Sequence, residues 1–135
     1  MNILVTGGCG FIGSNFVLKQ VQKAKNNCLN LDNLTYSGNR DNLVSITDRH
    51  NYQFIEGDIS NRRLVSDTIY TFQPDVIIHF AAESHVDRSI EGPMEFIQTN
   101  IVGTATLLNA SLEYWQGLRD NNQKTNFIFL HVSTD

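Results

Sequence analysis

Gly7, Gly8, Gly10 and Gly13 crowd into one short stretch directly after the apolar run Ile3-Leu4-Val5. That run has the length and branching of a buried strand, and Phe11 to Lys25 reads as a helix. Strand, glycine turn and helix in this order form a βα unit shaped to hold a phosphate. The first glycines let the chain turn sharply and approach a pyrophosphate where a Cβ would clash. Gly13 lets helix and strand pack closely, and the free N–H groups at the helix start face the anion. The spacing satisfies both Gly-x-Gly-x-x-Gly (Gly8, Gly10, Gly13) and Gly-x-x-Gly-x-x-Gly (Gly7, Gly10, Gly13). Such spacings are common by themselves. The position between a strand and a helix is what gives this one meaning.

Within the first helix, Phe16, Val17, Val21 and Ala24 recur at the spacing of a buried face, and Lys19, Lys23 and Lys25 face water. Asn27 to Leu31 gives a second strand that ends at Asp32. Asp32 follows Gly13 by about 20 positions, the separation expected of an acidic residue that holds the adenosine ribose. A carboxylate there accepts hydrogen bonds from both ribose hydroxyls and repels a 2′-phosphate, which favours NAD over NADP.

Asn33 to Arg40 is a polar loop, followed by a weakly helical stretch to about Thr47. Tyr52 to Ile55 reads as the third strand. Asp58 leaves it at the carboxyl edge of the sheet, placed to accept from an adenine amino group while Ile59 covers the ring. Alternatively, Asp58 or Ser60 caps the helix that spans Asn61 to Phe72 and ends at Gln73-Pro74. Asp75 to Phe80 is a fourth, near-continuously apolar strand of the central parallel kind, interrupted by His79, which reads as a satisfied core residue rather than a ligand. Ala81-Ala82 leave room for a cofactor beside the backbone. The polar loop Glu83 to Ser89 is a candidate substrate site; its alternative is an internal ion-pair cluster of Arg88 with Glu83 or Asp87.

Pro93 to about Gln116 is a long helix with more apolar positions than one stripe needs, so one face packs on the sheet and a second is free for a partner. Gly103 within it costs roughly 1 kcal/mol against alanine and marks a close approach. Asn121 to Thr125 reads as a polar loop and Asn126 to Val132 as a fifth strand, apolar on both faces like a central strand. The alternation predicts an α/β, Rossmann-like, doubly wound parallel sheet in the order 3-2-1-4-5 that stops after its fifth strand.

At 135 residues the chain is about one domain, and 41% hydrophobic with 18% charged residues is a globular balance. A net charge of -4 gives no support to nucleic-acid binding. No apolar run approaches the ~20 residues of a membrane span, and no signal peptide is visible. Cys9 and Cys28 fall at opposite ends of parallel strands, which argues for reduced thiols in a cytoplasmic protein, and no metal-ligand spacing is present.

Five blocks together resemble the dTDP-glucose 4,6-dehydratase family, within the extended short-chain dehydrogenase/reductase group. They are Val5 to Ser14, Leu34 to Asn39, His79 to Ser89, Thr99 to Thr104 and Val132 to Asp135, in the family's order along the whole chain. The glycine turn is shared by the wider group, whereas Leu34-Thr35-Tyr36 and Ala81 to Ser89 point to the dehydratases. The resemblance implies a retained NAD and a reaction that oxidises C4 of a nucleotide-linked glucose. Water is then lost across C5 and C6, and the hydride returns to C6.

By that resemblance Phe11, Ile12, Asp32, Asn33, Leu34, Thr35, Asp58, Ile59, Ala81 and Thr99 contact NAD alongside Gly7, Gly10 and Gly13. Ser84 and Thr134 contact the sugar nucleotide. Asp135 is the acid that protonates the departing C6 hydroxyl, a role that calls for a raised pKa. The family's glutamate base after this aspartate, and its later Tyr-x-x-x-Lys pair, are not among these residues. Neither Tyr36, Tyr52, Tyr70 nor Tyr114 has a lysine four positions on. The 135 residues are thus expected to form an incomplete NAD-binding domain of an enzyme that is a homodimer at full length, and to be inactive alone. The competing readings are a non-catalytic NAD-binding or interaction module, and a sugar epimerase, which the Ser133-Thr134-Asp135 ending disfavours.

Overall fold

The computed structural model describes residues 1–23, 25–84, 90 and 92–133. Ala24, the His85 to Ser89 stretch with its proposed Arg88 ion pairs, and Thr134-Asp135 lie outside the described residues. The centre is a parallel sheet of β1 (Asn2–Thr6), β2 (Asn27–Asp32), β3 (Tyr52–Glu56), β4 (Val76–His79) and β5 (Ile128–His131). Its order is β3-β2-β1-β4-β5, as the strand–helix alternation predicts. β1 lies in the middle, with Leu4 level with Leu29 on one side and Ile77 on the other.

Alternate residues of the strands feed two cores, because successive strand side chains point to opposite faces. On one face Ile3, Val5, Cys28 and Ile78 pack under Val17 and Val21 of α1 (Phe11–Gln22), and under Leu43 and Ile46 of the 3-10 helix Arg40–Ile46. On the other face Leu4, Leu29, Leu31 and Ile77 meet Val65 and Ile69 of α2 (Arg62–Phe72), and Leu107 of a long helix. Both cysteines are free and buried, and burial pushes their thiols up to about 11 for Cys9 and about 12 for Cys28. Thiols held that high are poor nucleophiles at neutral pH.

The helix ends carry the differences from expectation. α1 stops at Gln22, short of Lys25, because the buried Asn51 amide donates to the carbonyls of Val21 (3.0 Å) and Asn26 (2.9 Å) and turns the chain into β2. The cap of α2 is neither Asp58 nor Ser60. Asn61 does the capping, its side chain accepting from Leu64 N–H, while Asp58 Oδ1 accepts from Ser60 N–H to shape the turn before it. Gln73 closes α2 in the left-handed conformation, with Pro74 next.

The long helix, α3, runs continuously over residues 93–117: one turn Pro93–Phe96, a π-helical segment Ile97–Gly103, then regular Thr104–Gly117. Leu107, Ala110, Ser111 and Tyr114 face the sheet, while Ile101, Leu108 and Leu112 remain exposed. A Cβ on Gly103 would come within 2.8 Å of Ile59, so its absence lets α3 close on that residue. Asn121–Asn126 is a short helix, α4, where Asn121 to Thr125 reads as a loop and Asn126 as the start of the fifth strand, which instead begins at Ile128. Asp120 caps it by accepting from Asn122 N–H, and the Trp115 indole of α3 donates to the Lys124 carbonyl. The Asp120 cap is local, whereas the Trp115 contact comes from another element. β5, with the composition of a central strand, pairs among the described residues with β4 alone, and Ile128 and Leu130 stay about half exposed.

The two faces of α3 differ in what they contribute to stability. Leu107→Ala should lower the free energy of unfolding by about 2–5 kcal/mol in urea titrations. Leu108→Ala, one residue on, should cost under about 1 kcal/mol in the isolated chain.

Candidate functional site

The carboxyl edge of the sheet holds the site, and the turn after β1 shapes it. Gly7 sits at φ +73, and a Cβ there would lie 2.5 Å from Ala81 N, at the end of β4. The turn therefore lies flat against the β4 exit only because Gly7 has no side chain. A Cβ on Gly13 would overlap the Gly7 carbonyl, so α1 starts in close contact with the turn. Gly10 is different. Its backbone is ordinary extended chain (φ -74), and a Cβ would meet nothing closer than the Gly7 carbonyl at 3.5 Å. The fold itself would accept an alanine there. What a Cβ would fill is the cleft.

β2 supplies the acceptors for the turn. Asn30 Oδ1 accepts from Gly8 N–H (3.0 Å), and Asp32 Oδ2 accepts from Cys9 N–H (2.8 Å). Asp32 Oδ1 accepts from Leu34 N–H (2.9 Å), so the buried carboxylate is held from both sides. Two adjoining clefts open from this point. The first is lined by Gly7, Gly10, Asp32, Asn33, Thr35, Asp58, Ile59, Ala81 and Thr99. The second continues past Phe11, Ile12, Gly13 and Ser84 to Asn100, Thr104 and His131. Phe11 and Ile12 are 85% and 62% exposed, an apolar pair at a helix start that faces cleft rather than core.

Leu34 departs from this set. Its side chain packs against the core of the α1 face, it takes φ 50, and only its backbone serves the site, by holding Asp32. Thr134 and Asp135 lie outside the described residues.

Two asparagines join the site that sequence reasoning did not single out. Asn100, in the π-helical segment, accepts from Glu83 N–H and donates to the Glu83 carbonyl, both at 2.8 Å, and so fixes the loop next to Ser84. Asn30 is the other. A polar residue midway along a buried parallel strand is the signal that would have found it.

His79 behaves as a core residue. It is fully buried, with Nδ1 2.7 Å from Thr6 Oγ1 and Nε2 3.0 Å from Thr104 Oγ1, and so joins β1, β4 and α3. Burial lowers its pKa to about 4, helped by the His131 ring, which lies tilted against it with the centroids 4.7 Å apart.

Comparison with known proteins places this architecture. The sequence model of the family described as GDP-mannose 4,6-dehydratase matches residues 4–135, and the chain belongs to that family. Within it, the chain is 53% identical over 132 residues to a dTDP-glucose 4,6-dehydratase of Xanthomonas campestris, covering 98% of this chain and 37% of the relative. It is 48% identical to dTDP-glucose 4,6-dehydratase 1 of Escherichia coli K12, covering 100% of this chain and 37% of that one. A crystal structure of dTDP-glucose 4,6-dehydratase from Bacillus anthracis in complex with NAD superposes with a TM-score of 0.80 at 41% identity, covering 99% and 37% of the two chains. The chain thus spans little more than a third of these relatives' length.

The buried imidazole has a pH signature. An unfolded His79 takes up a proton near pH 6.5, whereas the folded one stays neutral down to about 4. Its contribution to stability is intact above about 6.5 and falls through that window by up to about 1.4 kcal/mol per pH unit. Unfolding midpoints measured from pH 7 to 4 should decline less steeply in a His79→Gln chain. Equal slopes would remove this role.

Proposed function

We propose that these residues form the NAD-holding part of a dTDP-glucose 4,6-dehydratase, with residues 1–135 as an incomplete Rossmann-like domain. The observation that supports this most directly is Gly10: a Cβ there would meet nothing closer than the Gly7 carbonyl at 3.5 Å, so the fold does not require glycine, and the residue lines the cleft beside Asp32, where a diphosphate would need that space. The chemistry a bound NAD supplies is reversible storage of a hydride.

The chain's own residues divide the remaining work. The first N–H groups of α1, at Phe11 and Ile12, hold the diphosphate. Asp32 accepts from the ribose hydroxyls with an orientation set by Cys9 and Leu34 N–H. Asn33 and Thr35 border the ribose, and Asp58 and Ile59 border the adenine. Ala81 and Thr99 flank the path toward the nicotinamide. Ser84 reaches the sugar nucleotide together with Thr134, and Asp135 gives a proton to the C6 hydroxyl, since hydroxide is a poor leaving group. A homodimer that covers the exposed apolar face of α3 and a cytoplasmic setting belong to the same reading.

Titration of the 135-residue chain should show NAD bound at least ~10-fold more tightly than NADP, about 1.4 kcal/mol. Equal affinities would remove the role of Asp32. Gly10→Ala should keep the unfolding midpoint while NAD affinity falls ~10-fold or more. The same chain mixed with NAD and dTDP-glucose should form no 4-keto-6-deoxy sugar; turnover would overturn this division of labour.

A further inference from the structure

Asn30 lies midway along β2 with its side chain wholly buried, where a parallel strand covered on both faces ordinarily carries an apolar residue. An unpaired amide in such a place is costly, so its partners explain it. Oδ1 accepts from Gly8 N–H at 3.0 Å, Nδ2 donates to Cys9 Sγ at 3.3 Å, and Nδ2 also lies 3.5 Å from the Tyr52 hydroxyl. A Cβ on Gly8 would overlap this amide, so turn and amide are fitted to each other.

The contact divides the N–H groups of the turn into two sets. Gly7 N–H is taken by the Leu31 carbonyl, Gly8 N–H by Asn30, Cys9 N–H by Asp32 and Gly10 N–H by the Gly7 carbonyl. The next three, at Phe11, Ile12 and Gly13, belong to the first turn of α1, where an α-helix offers no internal acceptor. Phe11, Ile12 and Gly13 line the cleft.

We infer that Asn30 is a positioning residue for the diphosphate of the dinucleotide. It draws Gly8 N–H inward onto β2 and so presents the first turn of α1, rather than the glycine turn, to the anion. This role rests on the NAD-binding function proposed for the cleft. An amide suits the task better than a carboxylate would, because it accepts the hydrogen bond without adding a second negative charge beside Asp32 and the diphosphate.

The test combines a variant with a measurement on the native chain. Asn30→Leu keeps the branched heavy-atom skeleton and removes the acceptor. NAD and ADP should bind it ~10-fold more weakly, whereas adenosine, which has no phosphate, should bind as it does to the native chain. Amide exchange in the native chain without ligand should show Gly8 and Cys9 protected and Phe11, Ile12 and Gly13 open, the latter three becoming protected on addition of ADP. That pattern decides the matter even where the variant fails to fold. Unchanged NAD and ADP affinity in folded Asn30→Leu, an equal loss for adenosine, or a freely exchanging Gly8 amide in the native chain would each overturn the inference. A native chain with a protected Gly8 amide that binds neither NAD nor ADP would instead defeat the cofactor reading, and the diphosphate role with it.

Discussion

The turn between β1 and α1 must satisfy its own backbone while pressed against the end of β4, and the rest of the site follows from how it does so. Gly7 brings the chain so close to Ala81 that no side chain fits between them. The N–H groups forced inward by that approach need acceptors, since buried amides are rarely left unpaired. β2 provides them in sequence: the Leu31 carbonyl, the Asn30 amide and the Asp32 carboxylate. One strand therefore both supports the turn and carries the acidic group that faces the cleft.

The sheet beneath has its own logic. β1 is central and its residues alternate between two cores, so a single apolar tripeptide anchors helices on both faces. The polar exceptions inside are tied rather than tolerated. His79 joins two strands and a helix through Thr6 and Thr104, and Asn51 ends α1 by taking two carbonyls. Among the described residues no buried side-chain nitrogen or oxygen lacks a partner. The exposed side of α3 and the outer strand β5 carry apolar residues without such cover among the described residues.

Much of the candidate site is legible along the chain because its spacing is a consequence of the fold. A ribose-binding acid must stand at the end of the second strand, and the length of one helix separates it from the glycine turn; Asp32 satisfies that rule. Asn30 and Asn100 follow no such rule, because asparagine has no characteristic spacing and its meaning depends on which backbone it faces. Leu34 is a cofactor contact by resemblance, yet its side chain packs against the core, with the backbone at φ 50. The short helix α4 escapes the sequence for a related reason. Asparagine and threonine fill four of its six positions and rank low in helix propensity, and the Trp115 contact that supports the helix comes from another element.

The sequence by itself determined the strand–helix alternation, the parallel order 3-2-1-4-5, the glycine turn and the acid that faces it. The alternation, the turn and the acid rest on periodicity or on a fixed separation along the chain, and the strand order follows from the topology that such an alternation adopts. Only the tertiary structure decided which N–H groups of the turn are satisfied internally and which residue caps α2. It also decided where α1 stops and which partners the buried histidine finds. Those outcomes depend on groups far apart in the chain meeting at hydrogen-bond distance, and no local pattern encodes such a meeting.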